Sequence, residues 1–565
     1  MLDTSSSIRA LRDPGAIMRL DRMGSMHQCR LSFMRILLRR LQSENWTFDR
    51  PAFEFDGAGV GTAVYTAKGP SRTYSLICFG HDLKPEERSD RVIAHKWDST
   101  FTLFDGIPEQ ADIDRLRQNV PKQEAGRVTS TELSVSRANR SVRLFEYVVD
   151  CLSRGTQPDQ TECEAVGYLM RTTAVYGSGK LGAADREYLA GREEFTSPFQ
   201  VEMLSVYLTR AYTLDLVEHV ASLRSPETAI CLDPELRRIF GVGNSTGLGM
   251  APFLMNHPVL LNNWVTARET ALARVCALDA VSDRAACVFQ DILIRARRNA
   301  ETWKSEHPIQ IAKIKSLCDD LVALDVHLKK EGLGGSKPWQ RLYQWAEETL
   351  SLEGQEQLVS LMIEPYGDLV DDLSDDMCAD ESASFPIQGA MGLDQLTQII
   401  EQDYDWALAI SWRQPGNQAR IWYVSAEKLE PRMGERFREP VSPYEQPLAP
   451  GRDVKLLYKD LQGWAGEASV AAFLLRYPEH RHAVRRVQIT ARSPYAEIRD
   501  NTISQALLPV DMLRFKLAFF GATHFDPRSD RWVRINMFKH APFPHELADW
   551  PEGDWAYAPA AGEAV

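Results

Sequence analysis

Apolar and polar positions along this chain alternate with two different periods. From Thr62 to Ala67 and from Arg72 to Phe79 the period is two, and Lys68-Gly69-Pro70-Ser71 separates the runs, which predicts a β-hairpin. Phe101-Thr102-Leu103-Phe104, closed by Asp105-Gly106, predicts a third strand. The helical period dominates from about residue 130 to 400. Within Phe199 to Val220, the apolar Phe199, Met203, Val206, Tyr207, Leu214, Val217 and Val220 recur at three- and four-residue steps and predict a helix with one buried stripe. Further helical stretches run from about 256 to 300 and from 309 to 331, and Gly332-Leu333-Gly334-Gly335-Ser336-Lys337-Pro338 breaks them. Residues 27–43 predict an amphipathic helix docked on the first domain; arginines interrupt its apolar stretch too often for a signal peptide. Past about 400 the strand pattern returns. Trp406 to Trp412 and Arg420 to Val424 flank Gln414-Pro415-Gly416-Asn417 as a second hairpin, and Leu513 to Phe520 pairs with Trp532 to Phe538 as a third.

These elements make an α+β protein, a large helical central region flanked by two smaller hairpin-containing α+β regions. The expected boundaries are 1–130 for the N-terminal α+β region, 131–400 for the helical centre and 401–565 for the C-terminal α+β region. A constant shift in numbering aligns Ala63 with Ala409, Gly69-Pro70 with Pro415-Gly416, Leu83 with Leu429 and Pro85 with Pro431. On that basis the flanking regions read as distant duplicates, a reading that a difference in strand order would sink.

Bulk composition narrows the function class. At 565 residues the chain is too long for one ordinary core. An apolar fraction of 44% and a charged fraction of 25% exclude a disordered chain. The net charge of −13 argues against a general binder of nucleic acid or anionic membrane, since phosphate surfaces need a dominant basic face. Nine scattered cysteines without a Cys-x-x-Cys pair predict reduced thiols in a cytoplasm and no cysteine zinc site. No run approaches the length of about 18 apolar residues that a membrane helix needs. The expectation is therefore a soluble cytoplasmic protein with no nucleic-acid or membrane partner; a homo-oligomer is compatible with it.

Two glycine-rich segments, read as helix entries, carry the candidate chemistry. In Tyr176-Gly177-Ser178-Gly179-Lys180-Leu181-Gly182 the glycines let backbone amides face an anion, Lys180 adds a charge, and Arg171 upstream suits bidentate contact with carboxylate or phosphate. Leu181 after the lysine excludes a Walker loop. The string resembles the nucleotidyltransferase loop of glutamine-synthetase adenylyltransferases, but Ala183-Ala184-Asp185-Arg186-Glu187 lacks that family's Asp-x-Asp metal pair, so no activity is carried over. The second segment is Gly241-Val242-Gly243-Asn244-Ser245-Thr246-Gly247-Leu248-Gly249. Four glycines in nine residues imply close approach of a ligand or of another backbone, and His257 follows downstream. Ser245, Pro252 and Asn256 are similar in order to the fumarase/aspartase mobile loop, with different spacing and no lysine.

Taken together, the segments predict one pocket for a small carboxylate or phosphate metabolite. Lys180 and Arg171 hold the anion, and Gly177, Ser178, Gly179, Asn244, Ser245 and Thr246 orient it. Tyr176 or His257 moves the proton, in cofactor-independent lyase, isomerase or hydrolase chemistry. One rival is a non-catalytic ligand-binding or scaffolding protein with an acidic surface. Another places Mg²⁺ on Asp368, Asp371, Asp372, Asp375 and Asp376, whose spacing predicts a single helix face. A mixed cluster at His480-Arg481-His482, Arg485-Arg486 and Glu497-x-Arg499 reads as ordinary ion pairs or as an interface. Gly57-Ala58-Gly59-Val60-Gly61 precedes a strand run and reads as a flexible bend rather than a dinucleotide fingerprint.

Overall fold

The computed structural model describes residues 11–84, 97–122, 129–140, 143–173, 192–195, 200–244, 258–303, 305, 308–377, 385–414, 417, 421–424, 428–433, 445–447, 449–464, 466–499, 514–522, 524–527, 533–551 and 555–557. The fold is α+β. Nine strands form one sheet: β1 Thr47–Phe55, β2 Gly61–Lys68, β3 Thr73–Gly80, β4 Ser99–Asp105, β5 Glu132–Asn139, β6 Tyr168–Thr173, β7 Gly241–Asn244, β11 His524–Pro527 and β12 Val533–Met537. Their order is β1-β2-β3-β4-β5-β6-β7-β12-β11. Every pair is antiparallel except β6 with β7. A separate three-stranded sheet holds β8 Ile421–Val424, β9 Lys428–Met433 and β10 Glu445–Pro447.

The predicted first hairpin forms as β2 and β3, with Lys68 opposite Thr73, and the predicted third strand is β4. Gly57 to Gly61 is the turn that leads from β1 into β2, and Gly59 takes a left-handed φ of 74°. The centre of the chain is not purely helical: β5, β6 and β7 come from it and lie mid-sheet. Only β5 alternates, over Glu132 to Ser136; β6 and β7 are six and four residues long without alternation, and all three are overshadowed by the longer helical patterns around them. Strands from all three predicted regions thus share one sheet.

A 25-residue helix, Gln200–Arg224, packs against each of strands β1 to β7. The geometry permits this because its length, about 38 Å at 1.5 Å per residue, exceeds the roughly 29 Å spanned by seven neighbouring strands. The predicted single stripe is a correction: all fifteen residues from Gln200 to Leu214 are buried, since the sheet takes one side and Phe33–Ser43, Phe145–Ser153 and the C-terminal segment take the rest. Tyr212 sits among Phe101, Phe55 and Tyr65, at ring separations of 5.3, 5.7 and 6.4 Å. Polar residues on this buried helix satisfy backbone elsewhere. Arg210 donates to the carbonyls of Phe240 (2.7 Å) and Ala541 (2.7 Å) and so ties β7 to the C-terminal segment.

The segment from about 393 to 490 has a core of its own. Leu393, Leu396, Ile400, Tyr404, Val454, Leu457, Val470, Phe473, Val484 and Val487 meet there. The predicted strand Trp406 to Trp412 is instead a helical turn, Asp405–Ala409, in which Tyr404 and Ala407 face this core at helical spacing. Leu513 to Phe520 likewise ends in a wide helical turn, Phe515–Phe520. The first run is nearly all apolar, and periodicity cannot separate strand from helix in such a run; the second alternates only through Arg514 and Lys516 before an apolar stretch that fits either element. The second hairpin therefore does not form: β8 pairs with β9 and β10. Ala63 lies in β2 while Ala409 ends a helix, so the alignment that suggested duplication equates unlike elements.

Candidate functional site

The one parallel pair among the described strands sets the geometry of the candidate site. Tyr168 pairs with Gly241, Arg171 with Gly243 and Thr172 with Asn244. Thr172 Oγ1 donates to the Gly243 carbonyl at 2.8 Å. Because β6 and β7 run the same way, the chain leaves both at one end, after Thr173 and after Asn244, one strand spacing of about 4.8 Å apart. The first glycine-rich segment begins three residues past Thr173; the second begins inside β7 itself.

Charge gathers on the sheet beside these exits. On β5, Arg137 and Asn139 alternate onto the face of Val135, away from the long central helix. Asn139 is the register partner of Arg171, so the three share that face. Arg137 is 7% exposed and Arg171 1%. The Arg137 guanidinium lies over the Trp97 ring at 4.2 Å, and Thr100 is its register partner on β4. His81 Nε2 is 3.1 Å from Thr100 Oγ1. Burial lowers the His81 pKa from its ordinary 6.5, the Arg140 charge adds to the fall, and Asp98 opposes it. His81 thus bonds the register partner of Arg137, and a histidine whose pKa is lowered favours the neutral imidazole, a form that can accept a proton. The Asn139 side-chain carbonyl accepts from the Asp98 amide (3.1 Å), and the Asp98 carboxylate accepts from the Arg140 amide (2.7 Å), which fixes the strand ends.

Of the residues expected from sequence, Arg171 is in β6 and Asn244 ends β7. Tyr176, Gly177, Ser178, Gly179, Lys180, Ser245, Thr246 and His257 lie outside the described residues. Two glycines of the second segment have packing reasons. A side chain at Gly243 would enter the Tyr168 ring, and one at Gly241 would collide with Asn536 and the Met537 carbonyl. That segment therefore opens as a strand rather than a helix entry, and it is another backbone and a ring that approach these two positions. His81 and Arg137 escaped the sequence reading, because single polar residues at strand ends carry no spacing signal.

The aspartate cluster is corrected. Asp368 to Asp376 form two four-residue helices, Gly367–Val370 and Leu373–Asp376, because Tyr366 and Asp372 each start a new turn. Arginines take up three of its carboxylates. Arg30 grips Asp371 through two bonds of 2.7 Å, with Arg39 at 3.3 Å; Arg274 holds Asp372 at 2.7 Å, and Arg40 lies 3.6 Å from Asp375. Among the described residues no group of three or more His, Cys, Asp or Glu could hold a metal ion. In the C-terminal cluster, His480 Nε2 is hydrogen-bonded to Asp460 Oδ2 (2.8 Å) and Arg486 pairs with Glu497 (2.8 Å).

A second polar centre left no mark in the sequence reading. In the helix Leu352–Ile363 every residue from Glu353 to Ile363 is buried, including Glu353, Gln355, Glu356, Gln357 and Ser360. Glu356 receives Arg12 Nη1 at 2.6 Å, Arg268 Nη1 at 2.6 Å and Arg22 Nε at 3.3 Å. Arg12 also clasps Glu269 with two bonds of 2.7 Å. Burial alone would raise the Glu356 pKa; Arg12, Arg268 and Arg22 outweigh it and hold the carboxyl at about 2. His27 Nδ1 donates to Gln357 Oε1 (2.7 Å) and the ring stacks on Trp303; burial lowers its pKa to about 4 against its bonds to Gln357 and Asn299. Three arginines surround two glutamates here, and the contacts of Arg12 and Arg22 tie the N-terminal segment to the helical middle. No helix among the described residues is long and apolar enough to cross a membrane. Compared with protein families, curated proteins and solved structures, the chain finds no match.

Proposed function

We propose that the protein is a cytosolic enzyme that acts on a small carboxylate- or phosphate-bearing metabolite beside the β6 and β7 exits. The chemistry is proton transfer of the lyase, isomerase or hydrolase kind, with no cofactor. One observation carries this reading: two buried arginines, Arg137 and Arg171, share a sheet face where two glycine-rich segments leave neighbouring strands. Buried guanidiniums bind planar anions with far more discrimination than surface lysines do. Arg171, Arg137 and Lys180 hold the anion, Ser178 and Asn244 orient it, and His81, His257 or Tyr176 exchanges the proton.

The test is calorimetric titration of the full chain with a panel of small carboxylates and phosphates. One member should bind in the micromolar to millimolar range, and Arg171→Met should weaken it by at least tenfold, the loss of about one charge-assisted contact. Turnover of that compound should vanish in the Lys180→Ala/His257→Ala double variant while its circular dichroism stays unchanged. Binding without turnover in the native chain points to the ligand-binding rival; full activity of the double variant refutes the assigned roles.

A further inference from the structure

One helix of the central region carries two seams, and the rest of the chain covers one of them. In Pro308–Glu331 the buried residues are Gln310, Ile314, Leu317, Leu321, Leu324 and Leu328, at steps of four and three in alternation. That spacing belongs to a helix packed along its length against others, here Asp283–Thr302 and Leu352–Ile363. On the opposite side Pro308, Ala312, Lys315, Asp319, Val322 and Val326 repeat at the same alternating steps, and all six are exposed. Val326 is 59% exposed, Val322 46%, and Ile311, beside this outer seam, 48%. Apolar side chains gathered on the solvent face of one helix mark an interaction surface. Lys315 and Asp319, in the middle of the seam, make no ion pair among the described residues. On the same helix Lys313 and Lys329 hold Glu353 (3.0 Å) and Asp325 (2.8 Å).

The outer seam reads apolar, apolar, cation, anion, apolar, apolar. Turned end for end it reads the same with the two charges exchanged, so it complements itself in the antiparallel sense. Laid against a second copy, Lys315 faces Asp319 of that copy and Asp319 faces its Lys315. Val322 then meets Ala312, and Val326 meets Pro308, each contact occurring twice through the two-fold axis. A parallel copy would set Lys315 against Lys315 and Asp319 against Asp319, which repels at both central positions. The seam from Pro308 to Val326 is about 27 Å long at 1.5 Å per residue, and one helix wide. Such a contact lies at the small end of specific interfaces, so the association is weak.

We propose that this outer seam is a homodimer surface: Pro308–Glu331 packs antiparallel on the same helix of a second copy, with Lys315 and Asp319 as reciprocal ion pairs about the two-fold axis. The apolar positions supply the attraction by leaving water. The central charges fix direction and register, since a slip of one heptad would set Asp319 against Val322 and Lys315 against Val326. The surface is self-complementary, so it is fully occupied at two chains and does not propagate.

The experiment is sedimentation velocity of the full-length protein from about 2 to about 200 µM, a range that brackets weak association. The mass should rise from one chain to two across it and stop there. One-chain mass throughout, or growth past two chains, overturns the proposal. Lys315→Glu sets like charges together at both central positions and should raise the dissociation constant about tenfold or more; Asp319→Lys should do the same. The double variant Lys315→Glu/Asp319→Lys restores both pairs in the reversed sense and should return to within about threefold of the native constant. These side chains are exposed, so circular dichroism and the urea midpoint should stay native in all three. Val322→Glu should abolish the dimer. A native constant in either single variant, a double variant as weak as the singles, or a dimer that survives Val322→Glu shows that this seam is not the contact, and overturns the proposal as well.

Discussion

Glu356→Gln is a nearly isosteric change that removes one charge from a fully enclosed ionic centre. The carboxyl is 0% exposed and meets three arginines, and its pKa falls from the ordinary 4.5 to about 2. A carboxylate with a depressed folded-state pKa contributes stability above its unfolded value, and that contribution is lost as pH falls through the folded value. That fall corresponds to roughly 3 kcal/mol at pH 7 and, since the group is then partly protonated, to roughly 1 kcal/mol at pH 3. Losing one partner of a buried pair costs about the same, 3–5 kcal/mol, because the arginines are left without their counter-charge. Urea unfolding followed by tryptophan fluorescence at pH 7 and pH 3 reads the gap between native and variant protein. His27 titrates identically in both chains and cancels. The gap should be about 3 kcal/mol at pH 7 and shrink by about 2 kcal/mol at pH 3. An equal gap at both pH values would mean that shape rather than charge is what Glu356 supplies, and would refute the argument.

His27, with its pKa lowered to about 4, stays neutral while the unfolded chain takes up a proton below 6.5. Native protein should therefore lose stability as pH falls from about 6.5 to 4, and His27→Gln should flatten that part of a stability–pH curve. Gly243→Ala drives a methyl into the Tyr168 ring and should lower the unfolding free energy by about 1–3 kcal/mol; an unchanged urea midpoint would refute the packing reason given for this glycine. Tyr212→Ala empties the space between Phe101, Phe55 and Tyr65 and should cost about 3–5 kcal/mol by the same measurement. A thiol reagent applied to native protein should modify Cys231 and Cys287, which are exposed, long before Cys29, Cys78 or Cys276, which are buried. Burial also pushes the Cys78 thiol well above its ordinary pKa, so its labelling should wait for unfolding.

By itself the sequence determined the features that depend on near neighbours. The β2–β3 hairpin was legible because Gly69-Pro70 interrupts two alternating runs, and the Gln200–Arg224 helix because its apolar residues recur at three and four. Arg171 was singled out from its company of glycines and lysine, and it is buried beside the strand exits. Tertiary structure decided everything that rests on contacts between distant residues. It turned Asp405–Ala409 into a helix, since a run that is apolar throughout fits either element until a core selects the faces that Tyr404 and Ala407 present. It gave Gly241 and Gly243 to a strand, because what fills their missing side chains comes from Asn536, Met537 and Tyr168. It paired Asp371 and Asp372 with Arg30 and Arg274, which no spacing along the chain relates to them. The parallel register of β6 and β7 belongs to this second kind. Strands some seventy residues apart are placed side by side by hydrogen bonds between them, and no local pattern specifies that they run in the same direction.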